Sequence, residues 1–405
     1  MKIDKMINLL KIRPVHSFPA RMATSIALNE LAEENKSLKI LDPMVGSGTS
    51  IVISKYLGHD AIGFDTDPLS VLISKTWCMD IDEEKIRKTA KEVLISSKRK
   101  IIKMKYRNAY PCKKSDIETM KFIRFWFRPI NRLQLTALSR SIHSIKNVQI
   151  RDFLWCAFSR MIITKNAGIS LAKDLSHSRP HRDLECSIIK PFENFIQSVE
   201  YIIKLSLFKN KKNSSKAIIK LGDARKLPVL DNSIDCVITS PPYLNAIDYL
   251  RCHKFTLIWM GYSLKQIRKI RSGNIGGEIG KDYNKHIILN QIALDIAKKK
   301  LPTLRFQNII YHYVSDMHSV LSEIKRVLKS KGKAIIIIGN STMRGIKIDN
   351  CKAIRLLGML QRLKLIRTKR HRIPYYRRYL PPPNNKKNSI HNRIRNEQIL
   401  IFQKT

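Results

Sequence analysis

A chain of 405 residues with 76 lysines and arginines against 32 aspartates and glutamates carries a formal charge of +44, which draws its surface to polyanions. Its 43% hydrophobic content is too high for a disordered basic tail and sufficient for a sizeable core. No run approaches the ~20 apolar residues that span a bilayer, and the opening seventeen residues, Met1 to Ser17, lack the apolar length and flanks of a signal peptide. A cytoplasmic, nucleoid-associated protein is therefore expected. The seven cysteines at 78, 112, 156, 186, 236, 252 and 351 form no Cys-x-x-Cys pair, which argues against a zinc knuckle or a disulfide framework and for a reducing compartment.

In chain order, Ser37 to Leu41 reads as a short buried strand, followed by the turn Asp42-Pro43-Met44-Val45-Gly46-Ser47-Gly48-Thr49. Ser50 to Leu57 has helical spacing and is broken at Gly58; Ala61 to Phe64 is a second strand, ending at Asp65. Strand, glycine turn, helix, strand and acidic residue open a doubly wound parallel sheet. Residues 81 to 215 form a basic, helically patterned insertion whose Phe122, Phe125, Trp126, Phe127, Trp155 and Phe158 suggest a small core of its own. The strand rhythm then returns. Ala217 to Leu221 ends at Gly222-Asp223, and Ile234 to Thr239 ends at Ser240-Pro241-Pro242-Tyr243. A stretch near 262–305, with Gly273, Gly276, Gly277, Gly280 and Lys298 to Lys300, reads as irregular. Ser315 to Leu328 reads as an amphipathic helix, with Lys331-Gly332 turning into the strand Ala334 to Ile338. Leu363 to Thr368 and Gln398 to Phe402 are two last strands, joined by a basic connector containing Pro381 to Pro383. Alternating strands and helices predict a three-layer α/β sandwich.

Gly46 and Gly48 lie where a strand becomes a helix, a place where a missing Cβ lets backbone approach a ligand; a purely structural turn is the alternative. No Gly-Lys-Ser/Thr follows, so this is not a P-loop. Asp65 can accept both hydroxyls of a ribose and Asp223 an adenine amino group, each with a helix cap or turn as its plain alternative. In this chain order the three features indicate an adenosine-bearing cofactor, with a dinucleotide still among the alternatives. In Ser240-Pro241-Pro242-Tyr243 the prolines lack N–H groups and hold their carbonyls as rigid acceptors, Ser240 adds a hydroxyl and Tyr243 an aromatic face. Such a pocket suits a planar base with an exocyclic amine, swung out of its stack.

These residues carry a family resemblance. Asp42 to Thr49 resembles the cofactor motif, and Ser240 to Tyr243 the catalytic motif, of S-adenosylmethionine-dependent DNA amino-methyltransferases. His16-Ser17-Phe18-Pro19-Ala20-Arg21 looks like the segment these enzymes set beside the methionine end of the cofactor, and Arg326 to Lys333 is similar to their helix-to-strand step. Met44 departs from the more common Phe. The resemblance implies a Rossmann-like class I methyltransferase fold with a mainly helical insertion. Residues 1–80 would form the cofactor half, 81–215 the target-recognition insertion, and 216–405 the catalytic half with a second insertion near 262–305. It further implies S-adenosyl-L-methionine as methyl donor without a metal. Asp42, Gly46, Gly48, Asp65 and Asp223 would bind the cofactor, and Ser240, Pro241, Pro242 and Tyr243 would hold and activate the base. Double-stranded DNA is the implied substrate, with a cognate restriction endonuclease left open as a partner. Ser in the first motif position leans to cytosine N4 over adenine N6. An RNA methyltransferase of the guanine N2 type and a non-enzymatic DNA-binding relic are the rivals.

Other patterns weigh less. Pro111-Cys112 does not resemble the cysteine nucleophile of the cytosine C5 enzymes. His177 and His181 have metal-like spacing but no partner ligand at the required interval, so a loop contact is favoured. Asn245, Asp248, Tyr249, Arg251 and His253 are expected to begin a helix beneath the pocket. Basic residues from Arg362 to Arg395, interleaved with Tyr375, Tyr376 and Tyr379, suit a phosphate backbone or a solvated face.

Overall fold

The computed structural model describes residues 12–32, 36–106, 109–113, 115–209, 215–244, 248–276, 286–297, 303–343, 345–373 and 395–405. Asn245, Gly277, Gly280, Lys298 to Lys300 and the tyrosine- and proline-bearing connector at 374–394 lie outside them. One seven-stranded sheet organises the chain: β1 (Lys39–Asp42), β2 (Asp60–Asp65), β3 (Ala217–Leu221), β4 (Ile234–Thr239), β5 (Leu328–Gly339), β6 (Leu363–Arg372) and β7 (Asn396–Lys404). Their spatial order is β6-β7-β5-β4-β1-β2-β3. β1 to β5 pair in parallel, while β7 enters antiparallel between β5 and β6. Chain order reverses between β1 and β4, so a crevice opens at the carboxyl ends of these two strands, where doubly wound sheets bind ligands. The expected Rossmann-like methyltransferase sandwich is the fold observed.

Both faces of the central strands are buried, which is why β4 and the Ala334–Ile338 stretch of β5 read as near-continuous apolar runs rather than alternating ones, whereas Ile218 and Leu221 of the edge strand β3 are 46% and 55% exposed. Ile40, Cys236, Ile238, Ile335, Ile337, Ile399 and Ile401 point to one apolar cluster, and Leu41, Val237, Ala334, Ile336, Ile338, Leu400 and Phe402 to the other. The first face is covered by α1 (Thr24–Leu31), α2 (Thr49–Leu57) and α3 (Pro68–Cys78). The insertion follows as α4 (Glu83–Ile102), α5 (Ile117–Trp126), α6 (Pro129–His143), α7 (Val148–Ile162) and α8 (Pro191–Leu205). Its aromatics do not form a separate core: Phe127, Trp155 and Phe158 are buried in the same cluster as Ile40 and Val45. Phe125 is instead 47% exposed, with the Arg182 guanidinium 4.1 Å over its ring.

The stretch read as irregular contains two helices after α9 (Leu250–Leu257): α10 (Leu264–Ser272) and α11 (Ile287–Ile296). Ser263 caps α10 by a reciprocal box with Gln266, a local signal strong enough to start a helix among charged residues. α12 (Leu304–Val327) starts eleven residues earlier than the expected Ser315, and α13 (Asn350–Leu360) completes the second face. β5 begins before the Lys331-Gly332 turn. Lys331 takes a φ of +61° there, and the pairing with β4 shifts register between Ile234 and Cys236, so a bulge replaces the expected break. All seven cysteines are free thiols. Among the described residues no helix is long and apolar enough to cross a membrane.

Candidate active site at the carboxyl edge

The crevice is framed by the ends of β1 and β4, and one carboxylate ties them together. Asp42, 2% exposed, accepts at Oδ1 from the Met44 amide at 3.0 Å and the Thr239 hydroxyl at 2.7 Å, and at Oδ2 from the Ser50 hydroxyl. Burial pushes its pKa up to about 6, opposed by these three donors. Asp42 thus fixes the glycine turn to the strand that ends in Ser240-Pro241-Pro242-Tyr243, with both its oxygens engaged inside the protein.

The two glycines of the turn differ. Gly46 (φ +49°) is partly exposed, and a Cβ there would stand 3.4 Å from the Phe18 ring, so the segment expected beside the cofactor lies against this turn. Gly48 (φ +87°) is buried; a Cβ would come within 2.8 Å of Ser74 Oγ and 2.9 Å of Ser74 Cα on α3. Its smallness serves helix packing and the start of α2 rather than an open surface.

Asp65 ends β2, partly exposed, with Oδ2 accepting from the Gly46 amide and Oδ1 from the Asp67 amide, both at 2.9 Å. Burial, reinforced by the neighbouring Asp67 and Asp42 charges and opposed by the two amides, raises its pKa to about 7. Asp223 stands past the end of β3, but its carboxylate is gripped by Arg225: Nε lies 3.0 Å from Oδ1 and 3.1 Å from Oδ2, and a terminal nitrogen 2.7 Å from Oδ2. Burial raises the Asp223 pKa, yet the Arg225 hydrogen bonds outweigh it and hold the carboxyl below its ordinary range. Arg225 also reaches Asp316 at 2.8 Å and the Gly273 carbonyl at 2.6 Å, and Thr66 donates to Asn274 at 2.9 Å. Residues 273–274 therefore connect the rims of β2 and β3.

Several pairings at this edge have no local signal in the sequence. Asp67 caps α3 through the Leu69 amide and bonds the buried His253 of α9, from which it is 186 positions distant. Burial opposes charge on His253, but the Asp67 carboxylate dominates and raises its pKa well above the ordinary value. Phe18 packs on Tyr249 with ring centroids 4.8 Å apart and meets His253 edge-on at 5.4 Å. His16 bonds the Ser17 carbonyl at 2.6 Å and the Ser159 hydroxyl at 2.9 Å, and burial lowers its pKa to about 3. The helix expected to begin among Asp248, Tyr249, Arg251 and His253 is α9, which starts at Leu250 with Tyr249 at its N-cap and Asp248 before it. In the motif itself, Tyr243 donates from its hydroxyl to Glu397 at 2.6 Å. His177 and His181, farther out, contact the Asp174 carboxylate at 3.3 and 3.0 Å.

No family model matches the chain. Among curated proteins it is similar to the Type II methyltransferase M.MvaI of Kocuria varians, 24% identical over 410 residues that cover 95% of this chain and 88% of the relative. It is also similar to M.BsoBI of Geobacillus stearothermophilus, 26% identical over 308 residues covering 68% of this chain and 59% of that one. A third relative, M.MjaII of Methanocaldococcus jannaschii, is 21% identical and covers 83% of this chain and 73% of its own length. Both of the latter are likewise Type II methyltransferases. The resemblance drawn from the two motifs thus extends along nearly the whole chain.

Proposed function

We propose that the chain is an S-adenosylmethionine-dependent DNA methyltransferase that methylates the exocyclic amine of a flipped base, cytosine N4 ahead of adenine N6. The observation that carries this reading is the Thr239–Asp42 hydrogen bond, which brings the Ser-Pro-Pro-Tyr strand end beside the glycine turn at the reversal of strand order. The relatives, all Type II methyltransferases, support it, and a charge of +44 suits a nucleic-acid partner.

The rim fits the cofactor. Asp65 is a partly exposed acceptor at a strand end, Gly46 is an open turn walled by Phe18, and Asp223 with Arg225 offers both an acceptor and donors on the far side. S-adenosylmethionine supplies a methyl group on a sulfonium. Asp65 would take the ribose hydroxyls, giving up its bond to the Gly46 amide. The Ser240 hydroxyl and the Pro241 carbonyl would accept hydrogen bonds from the two amine N–H groups of the base, drawing the nitrogen lone pair out of conjugation towards the methyl group, and one of the two protons would be released to solvent as the nitrogen is methylated. With both partners held by strand ends, the rate gain comes chiefly from alignment. Target recognition falls to the helical insertion at 81–215, whose surface is basic.

The test is methyl transfer from labelled S-adenosylmethionine to duplex DNA and to bulk tRNA, followed by nucleoside analysis. N4-methylcytosine in DNA is expected. N6-methyladenine would replace the base, label in tRNA alone would replace the nucleic acid, and transfer to neither would overturn the reading.

A further inference from the structure

The neighbouring strands β2 and β3 end at the two carboxylates assigned above to the adenosine end of the cofactor, Asp65 and Asp223. Residues 273–276, which follow α10, are bonded to the residues just after both. On the β2 side the Thr66 hydroxyl donates to Asn274 Oδ1 at 2.9 Å. On the β3 side a terminal nitrogen of Arg225 donates to the Gly273 carbonyl at 2.6 Å. Asp316 of α12 anchors the far end, accepting from the Gly276 amide at 2.9 Å and from Arg225 at 2.8 Å.

The same arginine closes off Asp223. Oδ1 accepts from the Arg225 amide at 2.9 Å and from Nε at 3.0 Å, and Oδ2 accepts from Nε at 3.1 Å and from a terminal nitrogen at 2.7 Å. A carboxylate has about four lone-pair sites, so in this arrangement none is left for an adenine amine. Adenine gains Asp223 only if the Arg225 guanidinium turns away, and that guanidinium cannot turn away without releasing Gly273 and Asp316. Strap and adenosine therefore compete for one carboxylate. The strap is lightly held otherwise. Only Ile267 of the nine residues of α10 is buried, and its ion pairs, Arg268 to Glu118 and Arg271 to Asp248, use arginines that are more than half exposed.

We propose that residues 273–276 form an autoinhibitory strap, latched by Arg225, Asp316 and the Thr66–Asn274 bond, that must release before the adenosine of the cofactor can engage Asp223. The inference deepens the function proposed above and rests on its cofactor site. Its consequence runs against the usual effect of deleting a hydrogen bond. If only the unlatched form is competent, the apparent cofactor Kd is raised by the latched fraction, and weakening the latch tightens binding.

The test uses the full chain with Asn274→Ala, Asp316→Ala and the double variant, none of which alters Asp65, Asp223 or Arg225. Isothermal titration would give Kd for S-adenosylmethionine and S-adenosylhomocysteine, surface plasmon resonance the association rates, and circular dichroism the retention of fold. One hydrogen bond is worth about two- to tenfold in an equilibrium. Each single variant is accordingly expected to bind at least twofold tighter through faster association, and the double variant at least as tightly as the better single one. An affinity that rises less than twofold, or falls, in either folded single variant overturns the inference, since residues serving only to support the rim would weaken binding when removed. Should Asp316→Ala fail to fold, Asn274→Ala, on the opposite rim, decides alone. Absence of cofactor binding in wild type and variants alike is a different failure, that of the proposed function itself.

Discussion

Gly48 offers a sharp test of how the site is built. Replacing it with alanine puts a methyl group 2.9 Å from Ser74 Cα, a backbone atom that a rotamer change cannot move. Either α2 or α3 must shift, and overpacking of this kind costs about 1–3 kcal/mol. The φ of +87° adds roughly 1–2 kcal/mol for any residue with a Cβ, for a total of about 2–5 kcal/mol. Gly46→Ala is the internal control. Its φ of +49° carries the same backbone strain, but its Cβ meets only the Phe18 ring at an ordinary 3.4 Å, so about 1–2 kcal/mol is expected. Urea unfolding followed by circular dichroism would compare the two. Trimming the opposing side chain should not help: Gly48→Ala with Ser74→Ala is expected to be no more stable than Gly48→Ala alone, because the obstructing Cα remains. If Gly48→Ala proves no more destabilising than Gly46→Ala, or if the Ser74 trim restores stability, the packing account of this glycine is wrong.

Asp65, with a pKa near 7, should make cofactor binding depend on pH: ribose hydroxyls donate to the ionised carboxylate, so affinity rises towards a plateau above pH 7 and weakens about tenfold per unit below it. Isothermal titration from pH 6 to 8 would follow this, and Asp65→Asn should bind weakly with a flat profile; a sloping profile in that variant would assign the titration elsewhere. For Asp42 the sign runs the other way in stability. Its native pKa of about 6 exceeds the reference 3.8, so the native state favours the protonated form and loses stability as pH rises between these values. Relative to Asp42→Asn, wild type should lose about 2 kcal/mol between pH 4 and pH 7, read as the difference of two urea-unfolding series; a constant difference contradicts the burial argument. Binding to a DNA duplex should weaken linearly with the logarithm of salt concentration, as measured by fluorescence anisotropy, since the +44 charge acts by releasing counterions; an affinity insensitive to salt would exclude a phosphate-dominated contact.

The sheet was readable because burial on both faces leaves uninterrupted apolar runs, and Gly222-Asp223 and Ser240-Pro241 mark where they stop. β4 matches the reading residue for residue, as does β3, although only Ile219 of that edge strand is buried. The helices α10 and α11 were hidden by nearby glycines and lysines, although the Ser263–Gln266 pair carried a start signal. The aromatic insertion looked like a separate unit because composition shows only that a core is possible, not which surface closes it. Within the site, the motifs located the rim, but not the partners that define each side chain's task. Asp223 read as a free acceptor, while a turn folds Arg225, two positions on, back onto it. Gly48 read as open backbone, while Ser74 fills the space where its Cβ would be. Tyr243–Glu397 and Asp67–His253 join residues more than 150 positions apart, and no local pattern encodes such pairs.

The placement of β7 also bears on how the chain reaches its native state. β5 contains Ala334-Ile335-Ile336-Ile337-Ile338, and its outer hydrogen-bonding edge is covered only by β7, which follows it by more than fifty residues. Until residues 396–404 dock, that edge presents the uncharged, isoleucine-rich stretch Ala334–Ile338, a template of the kind that recruits other strands. Ribosome-bound or truncated chains would thus present an aggregation hazard that the finished sheet conceals. The strand that completes the rim of the candidate site is thus also the one that covers the edge of β5.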